Sequence, residues 1–498
     1  MDGRPFENKN QIFVILPTDF NLLSEIEIQE VLGYRKLLEA NRFAIEGELG
    51  AKLVFDQEPN IPNCSKWYIG PYSCNPEISK LGLTEPSYPQ LFLDRHKSIL
   101  VTHGKSVNEV MECFSYLRSL IGFKGGIWDI KDCSSTEEAI ERVKREVKIS
   151  YPSFKLRNLC WDEICEKHIP LVRNSSDPIP AFQSWLAELN DAHTWVRPFP
   201  PHGELPYDLC VKDNIGIFYQ VPTNSLGWKL GVRSGYELLN QPYKECWNRT
   251  AASIHSKPWV VGKRILSSIT GTKRKLKAKS PEGKIIVWEE EPTIDRWNPT
   301  ITWKKLNKNN GYIRVQAWIL GKDIENIFDR ALEDFKDCSK LIIDLRANPG
   351  GNLTLAHQIR NRFLKKEKTI GYIQNTLPNG SLSKKHSLLG YLAPPKKRWN
   401  KKVVFITDAL TYSSSEDVLL GLQGQENIKV IGQKSGGGSG RVRIIRLLPG
   451  YRLTISTALT FDVKGNCVEN SGIQLDYEYN INSIGENDKQ LFLFAMNL

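Results

Sequence analysis

The spacing of apolar positions changes several times along the chain. Between residues 1 and 126, IFVIL (Ile12 to Leu16), KLVF (Lys52 to Phe55) and SILVT (Ser98 to Thr102) read as short buried strands. Val107, Val110, Met111, Phe114, Leu117 and Leu120 then recur at helical spacing, so this stretch predicts a small α/β domain ending in an amphipathic helix. From 127 to 204 the pattern is helical. Ser135 with Glu138 forms a capping-box signature ahead of Ala139, Val143 and Val147. A further helix is predicted from about Ala181 into LAELNDAHTWV (Leu186 to Val196).

Residues 205–292 switch to short strands and turns. A strand, a glycine turn, a second strand, a short helix near Leu226 to Leu230 and GVRSGYELL follow in order. That order resembles a PDZ domain, with Tyr236 standing where such domains carry Asp, and a plain β-structured spacer is the alternative. From 300 to 498 strands and helices alternate as in an α/β sheet: GYIRVQAW, a helix over Ile324 to Phe335, KLIIDLRANPGG, a helix, VVFITDAL, a helix from about Ser413, then KVIGQ. The expected architecture is therefore multidomain α/β. WYIGPYSCNPEI (Trp67 to Ile78) and Ser98 to Leu120 also make the first domain resemble the accessory α/β domain that precedes the barrel of β-hexosaminidases and α-glucuronidases, although no barrel follows.

Composition narrows the functional classes. The 498 residues hold ordinary globular amounts of Gly and Pro (36 and 27), which excludes collagenous and low-complexity chains. No apolar run is long enough to span a bilayer, and the polar start lacks a signal-peptide core, so a soluble cytoplasmic protein with no membrane partner is expected. The ten cysteines form no CxxC pair and are expected to be reduced. Cys160, Cys165 and His168 lack a fourth ligand, so neither a metal site nor a cofactor is expected. A net charge of +11 invites a search for nucleic-acid contacts, but Thr272 to Lys279, Lys365 to Lys368 and Lys396 to Lys402 carry no nucleic-acid-binding signature and read as solvated surface.

Three segments can carry chemistry. KLIIDLRANPGGN (Lys340 to Asn352) is a strand ending in a Gly pair, whose amides could meet an anionic oxygen. Asp344 and Arg346 beside it are expected to buttress the turn. VVFITDALTYSSSEDVLLGL (Val403 to Leu422) places three serines at a helix start, either as N-caps or as a nucleophile at the positive end of the dipole. The stretch from Val430 to Tyr479, opening on VIGQKSGGGSG, has glycines and alternating strands that suggest a sheet edge with a loop over a cleft; Gly436 to Gly440 precede a strand rather than a helix, which argues against a nucleotide loop.

In order and wording these segments resemble the tail-specific, or C-terminal-processing, serine peptidases, whose motifs read "DLRnNPGG", "SASASE", "GKG" and "vEN-x-Gv-xPD". The resemblance spans roughly Asn309 to Tyr479 and implies a crotonase-like catalytic core. Where one branch carries its lysine base, this chain has Gly438. The tricorn-core branch uses Ser, His and Glu instead. Its motifs match LNDAHTWV and CVENSGIQLD, which implies Ser413 as nucleophile, His193 as base and Glu469 as orienting acid. The resemblance further implies an oxyanion hole from the N–H of Ser414 and that of Gly350 or Gly351, with Lys434 as a displaced alternative base. The implied substrate is a peptide or unfolded protein. Large relatives form rings, so a homo-oligomer stays open. Two alternatives also stay open: a non-catalytic peptide- or small-ligand-binding protein on the same scaffold, and a specialised peptide-processing or transacylating enzyme.

Overall fold

The computed structural model describes residues 4–498 except 7–8, 20, 22, 25–27, 29–30, 32, 36–37, 40–41, 56–63, 378–379 and 486–487. The chain divides into two compact units. The first comprises Met1–Pro152, Asn375–Ser383 and Val442–Thr457, and the second comprises Ser153–Gln374, Lys384–Arg441 and Ala458–Leu498.

The first unit is built on a six-stranded sheet in the order Lys52–Val54, Gln11–Ile15, Ser65–Pro71, Ile99–Gly104, Gln90–Asp94, Gly126–Asp129. The first four are mutually parallel, whereas Gln90–Asp94 runs antiparallel to both neighbours. The apolar runs form strands because every second side chain reaches a buried face. The expected helix runs only over Val107–Phe114 and then tightens into a 3-10 turn over Leu117–Leu120; the two leucines keep their buried positions while Met111 faces outward. The long helix Thr136–Ser150 starts at the Ser135 cap, whose side chain accepts from Glu138 N–H.

A hairpin from much later in the chain, Val442–Arg446 with Tyr451–Ser456, completes this unit through its arginines. Arg443 reaches Ser119, Ser150 and Glu146, and Arg446 forms a bidentate pair with Glu112 at 2.6 and 2.8 Å.

The second unit contains two principal sheets. One has the order Ile285–Glu290, Arg274–Lys279, Glu237–Leu238, Ile215–Gln220, Asp208–Lys212 and is antiparallel throughout. The helix Lys257–Leu266 lies directly on its last strand, because Gly262 has no side chain: a Cβ there would sit 2.3 Å from the Leu209 carbonyl oxygen. The other sheet has the order Ile301–Asn307, Asn310–Val315, Lys340–Asp344, Lys402–Thr407, Ile428–Gly432, Tyr477–Glu478, parallel after its first pair. All five residues of Lys340–Asp344 are buried, as expected of a central parallel strand covered on both faces. The carboxyl ends of the adjacent parallel strands therefore deliver Leu345–Gly351, Asp408–Ser413 and the loop after Gly432 to one edge, where open α/β sheets bind ligands.

Asp344 and Arg346 stabilise that edge. Fully buried Arg346 pairs with Asp344 at 2.7 Å and Asp488 at 2.6 Å, and Asp344 also accepts from Tyr312 Oη and Arg314. Asp408 receives the Ala347 N–H, holding that residue at a left-handed φ of 56° so that the chain can turn into the glycine pair. Arg346→Met would leave Asp344 buried with one cation fewer, and should destabilise the protein by about 3–5 kcal/mol in urea unfolding. A loss under about 1 kcal/mol would show the pair to be dispensable.

Candidate active site

Ser413, Ser414 and Ser415 are distinguished by what their hydroxyls do. Ser415 is fully buried and accepts from Trp318 Nε1 at 2.9 Å, while Ser414 donates to the Gly351 carbonyl at 3.2 Å. Ser413 is half-buried and precedes the helix Ser414–Leu419 with φ 58° and ψ −129°, a conformation costing an ordinary residue on the order of 1–3 kcal/mol. The site over-determines that strain. Tyr412 N–H donates to Asn348 O at 3.0 Å and Ser413 N–H to Glu416 Oε2 at 3.0 Å.

Glu416 is the hub of the arrangement. Its carboxylate also accepts from Ser435 Oγ at 2.6 Å, Gly437 N–H at 2.9 Å and Gly438 N–H at 3.0 Å, fastening the glycine-rich loop to the helix start. Burial still outweighs these donors and pushes its pKa up to about 7.

His193 does not lie on a helix. The helix occupies Pro178–Ala187, and the chain then passes Asn190 at φ 53° into a turn before the strand Trp195–Pro198. Buried Asp191 makes that turn, accepting from His193 N–H at 2.9 Å and Thr194 Oγ1 at 2.7 Å. Short polar side chains that bond the backbone two residues on compete with helix continuation, which is why the helical period stops here. Burial lowers the imidazole pKa and Asp191 partly opposes this. The ring packs on Tyr412 at 4.6 Å between centroids, tilted by 51°.

Glu469 is buried. Its Oε1 accepts from Arg157 Nη2 at 3.3 Å, and Arg157 also donates to Asn470 at 2.7 Å. Its pKa is raised well above the usual range by burial and then by Asp191, with Arg157 opposing. The charges of Asp191, Glu469 and Glu416 all act on Tyr412, so the acids converge around the residue next to Ser413. Among the described residues no hydrogen bond joins His193 to Ser413 or to Glu469. His193 Nδ1 and Glu469 Oε2 are both buried without a hydrogen-bond partner.

Of the two glycines, Gly350 donates its N–H to Asn348 Oδ1 at 3.0 Å and packs against Ser413, where a Cβ would meet Ser413 Cβ at 2.7 Å. The N–H groups of Gly351 and Ser414 have no acceptor among the described residues. Lys434 is exposed on a cavity of about 440 Å³ that also borders Cys467. His168 bonds Glu188 at 3.1 Å. Among the described residues no cluster of His, Cys, Asp or Glu could hold a metal ion, and no helix is long and apolar enough to cross a membrane.

Residues 309–479 match the description Peptidase family S41. That segment is similar to the S41 peptidase domain. The carboxy-terminal processing protease CtpB of Bacillus subtilis (strain 168) is 27% identical over 166 residues, 33% of this chain and 32% of that protein. The alignment thus spans about a third of that curated relative. The solved structure of mature CPAF complexed with lactacystin superposes with a TM-score of 0.54 at 12% identity, covering 70% of this chain and 94% of the other; that of mature CPAF alone gives 0.52 at 13%, covering 70% and 92%. These likenesses are of fold.

Sequence alone assigned no role to four residues of the site: Asp191, Arg157, Tyr412 and Glu416. Glu416 had a signal in the Ser-x-x-Glu spacing from Ser413, and Asp191 stands inside the LNDAHTWV motif that singles out His193. Because its folded pKa of about 7 exceeds the ordinary 4.5, Glu416 favours the folded state most below pH 4.5, and this contribution is lost as pH rises through 7. Glu416→Gln should abolish that loss, on the order of 3 kcal/mol in urea unfolding compared at pH 4 and pH 8. An identical pH dependence in both proteins would refute the assignment.

Proposed function

We propose that this chain is a serine-type peptidase that cleaves peptide bonds through an acyl-enzyme, with Ser413 as nucleophile, His193 as general base and Glu469 as orienting acid. The observation that carries the reading is the pair of buried atoms without partners, His193 Nδ1 and Glu469 Oε2. In the tautomer with the proton on Nδ1, the first can donate to the second, and that pairing is the one a Ser-His-Glu triad requires. The substrate is a peptide or unfolded protein, the 205–292 segment acts as a PDZ-like module, and the parallel sheet serves as a crotonase-like core.

The chemistry follows from the groups at the site. A serine hydroxyl is a weak nucleophile, so His193 Nε2 accepts its proton as Oγ attacks the scissile carbonyl. Burial favours the neutral imidazole that this step needs. Glu469 would then stabilise the imidazolium; Arg157 acts toward its ionised form, against burial and Asp191. The N–H groups of Ser414 and Gly351 receive the oxyanion, each worth about 2.7–4 kcal/mol in such a role. The intermediate collapses as His193 protonates the leaving amine, and water, deprotonated by the same nitrogen, releases the acyl group.

A second reading, a ligand-binding protein without turnover, is favoured by the missing hydrogen bond between Ser413 and His193. A fluorophosphonate probe separates the two. Wild type should be labelled, Ser413→Ala should not, and His193→Ala should be labelled at least about 100-fold more slowly. Ser414→Ala and Ser415→Ala should still label. Labelling that persists in Ser413→Ala would reassign the nucleophile, and an unlabelled wild type would favour the binding reading.

A further inference from the structure

The glycine run Gly436-Gly437-Gly438 remains unexplained by the chemistry above. Gly437 has a left-handed φ of 80°, but Gly436 and Gly438 do not, so backbone conformation does not require glycine at those two positions. Space does. A Cβ on Gly436 would sit 2.5 Å from Tyr412 Cδ2, and one on Gly438 would sit 1.9 Å from Tyr412 Oη. The two glycines are a bed for the Tyr412 ring, and the hydroxyl lies where a side chain at 438 would begin.

The same ring packs against His193, centroid to centroid at 4.6 Å, and its hydroxyl donates to Asp191 Oδ1 at 3.5 Å. The same Asp191 oxygen accepts the His193 backbone N–H. The loop beneath the ring is fastened in turn by Glu416, which also holds the N–H of Ser413. Resting on the catalytic reading above, we infer that Tyr412 is a positioning residue: seated on Gly436 and Gly438, it sets the place of the His193 imidazole relative to Ser413, the next residue in its own chain.

Besides Asp191 and Tyr412 beside the imidazole, the charged groups acting on Tyr412 are Glu469, Glu416 and Arg157. Displacing the ring admits water to a histidine whose pKa burial has lowered from 6.5, so its titration should move up toward that value. Two readouts test this in the full chain: the rate of fluorophosphonate labelling, and the His193 ring titration followed by NMR in histidine-labelled protein, assigned by its loss in His193→Ala.

Tyr412→Ala and Gly438→Ala should each slow labelling at least about tenfold, a part of the roughly 10²–10⁴-fold that a placed general base supplies. The double variant should be no slower than the slower single, because both act through one contact. Tyr412→Phe, which keeps the ring, should lose less than Tyr412→Ala. The His193 titration should rise in both alanine variants. An unchanged titration in folded Tyr412→Ala overturns the inference, as do losses that multiply in the double variant. Should Gly438→Ala fail to fold, the Tyr412→Ala and Tyr412→Phe titrations decide alone. If wild type resists the probe, the Ser413 reading falls, and the titration still decides whether Tyr412 places His193.

Discussion

One carboxylate carries most of the organisation at the candidate site. Glu416 accepts four hydrogen bonds, from the Ser413 amide, the Ser435 hydroxyl and the amides of Gly437 and Gly438. Each donor belongs to a segment with little regular structure of its own. Without a common acceptor, these three N–H groups and one hydroxyl would be orphaned at a cost of about 1–3 kcal/mol each. The strained backbone of Ser413 and the shape of the glycine loop are thus two consequences of one buried acid. That acid is buried against its own preference for water, which fits a site where local stability is given up for geometry.

The order of elements was legible because periodicity reports burial directly. Lys340–Asp344 reads as a continuous apolar run because both of its faces are covered, and Val403 to Thr407 for the same reason. The candidate nucleophile was legible through a motif in which helix start, serine and acid recur at fixed spacing. Asp344 and Arg346 were expected to be structural, and they form a buried network with Asp488.

What escaped was set by contacts distant in sequence. Arg157 meets Glu469 across more than 300 residues, and nothing about a lone arginine in FKLRNL announces an acid partner. The helix expected through His193 ended early because Asp191 bonds the backbone ahead of it, a local competition that apolar spacing does not register. The role of Gly438 could be stated only as a departure from a motif. Its explanation is the volume of Tyr412, a quantity with no signature in sequence.

The hairpin formed by Val442–Arg446 and Tyr451–Ser456 has a bearing on how the protein is made. It belongs to the first compact unit, and its arginines satisfy Glu112, Ser119 and Glu146 there. Domains generally fold as they leave the ribosome, amino terminus first. This one cannot be completed until residue 457 has emerged, after most of the second unit has been synthesised. The amino-terminal unit is therefore the first to begin yet is completed late: its buried Glu146 has Arg145 beside it from the outset and gains a second cation, Arg443, only some 300 residues later.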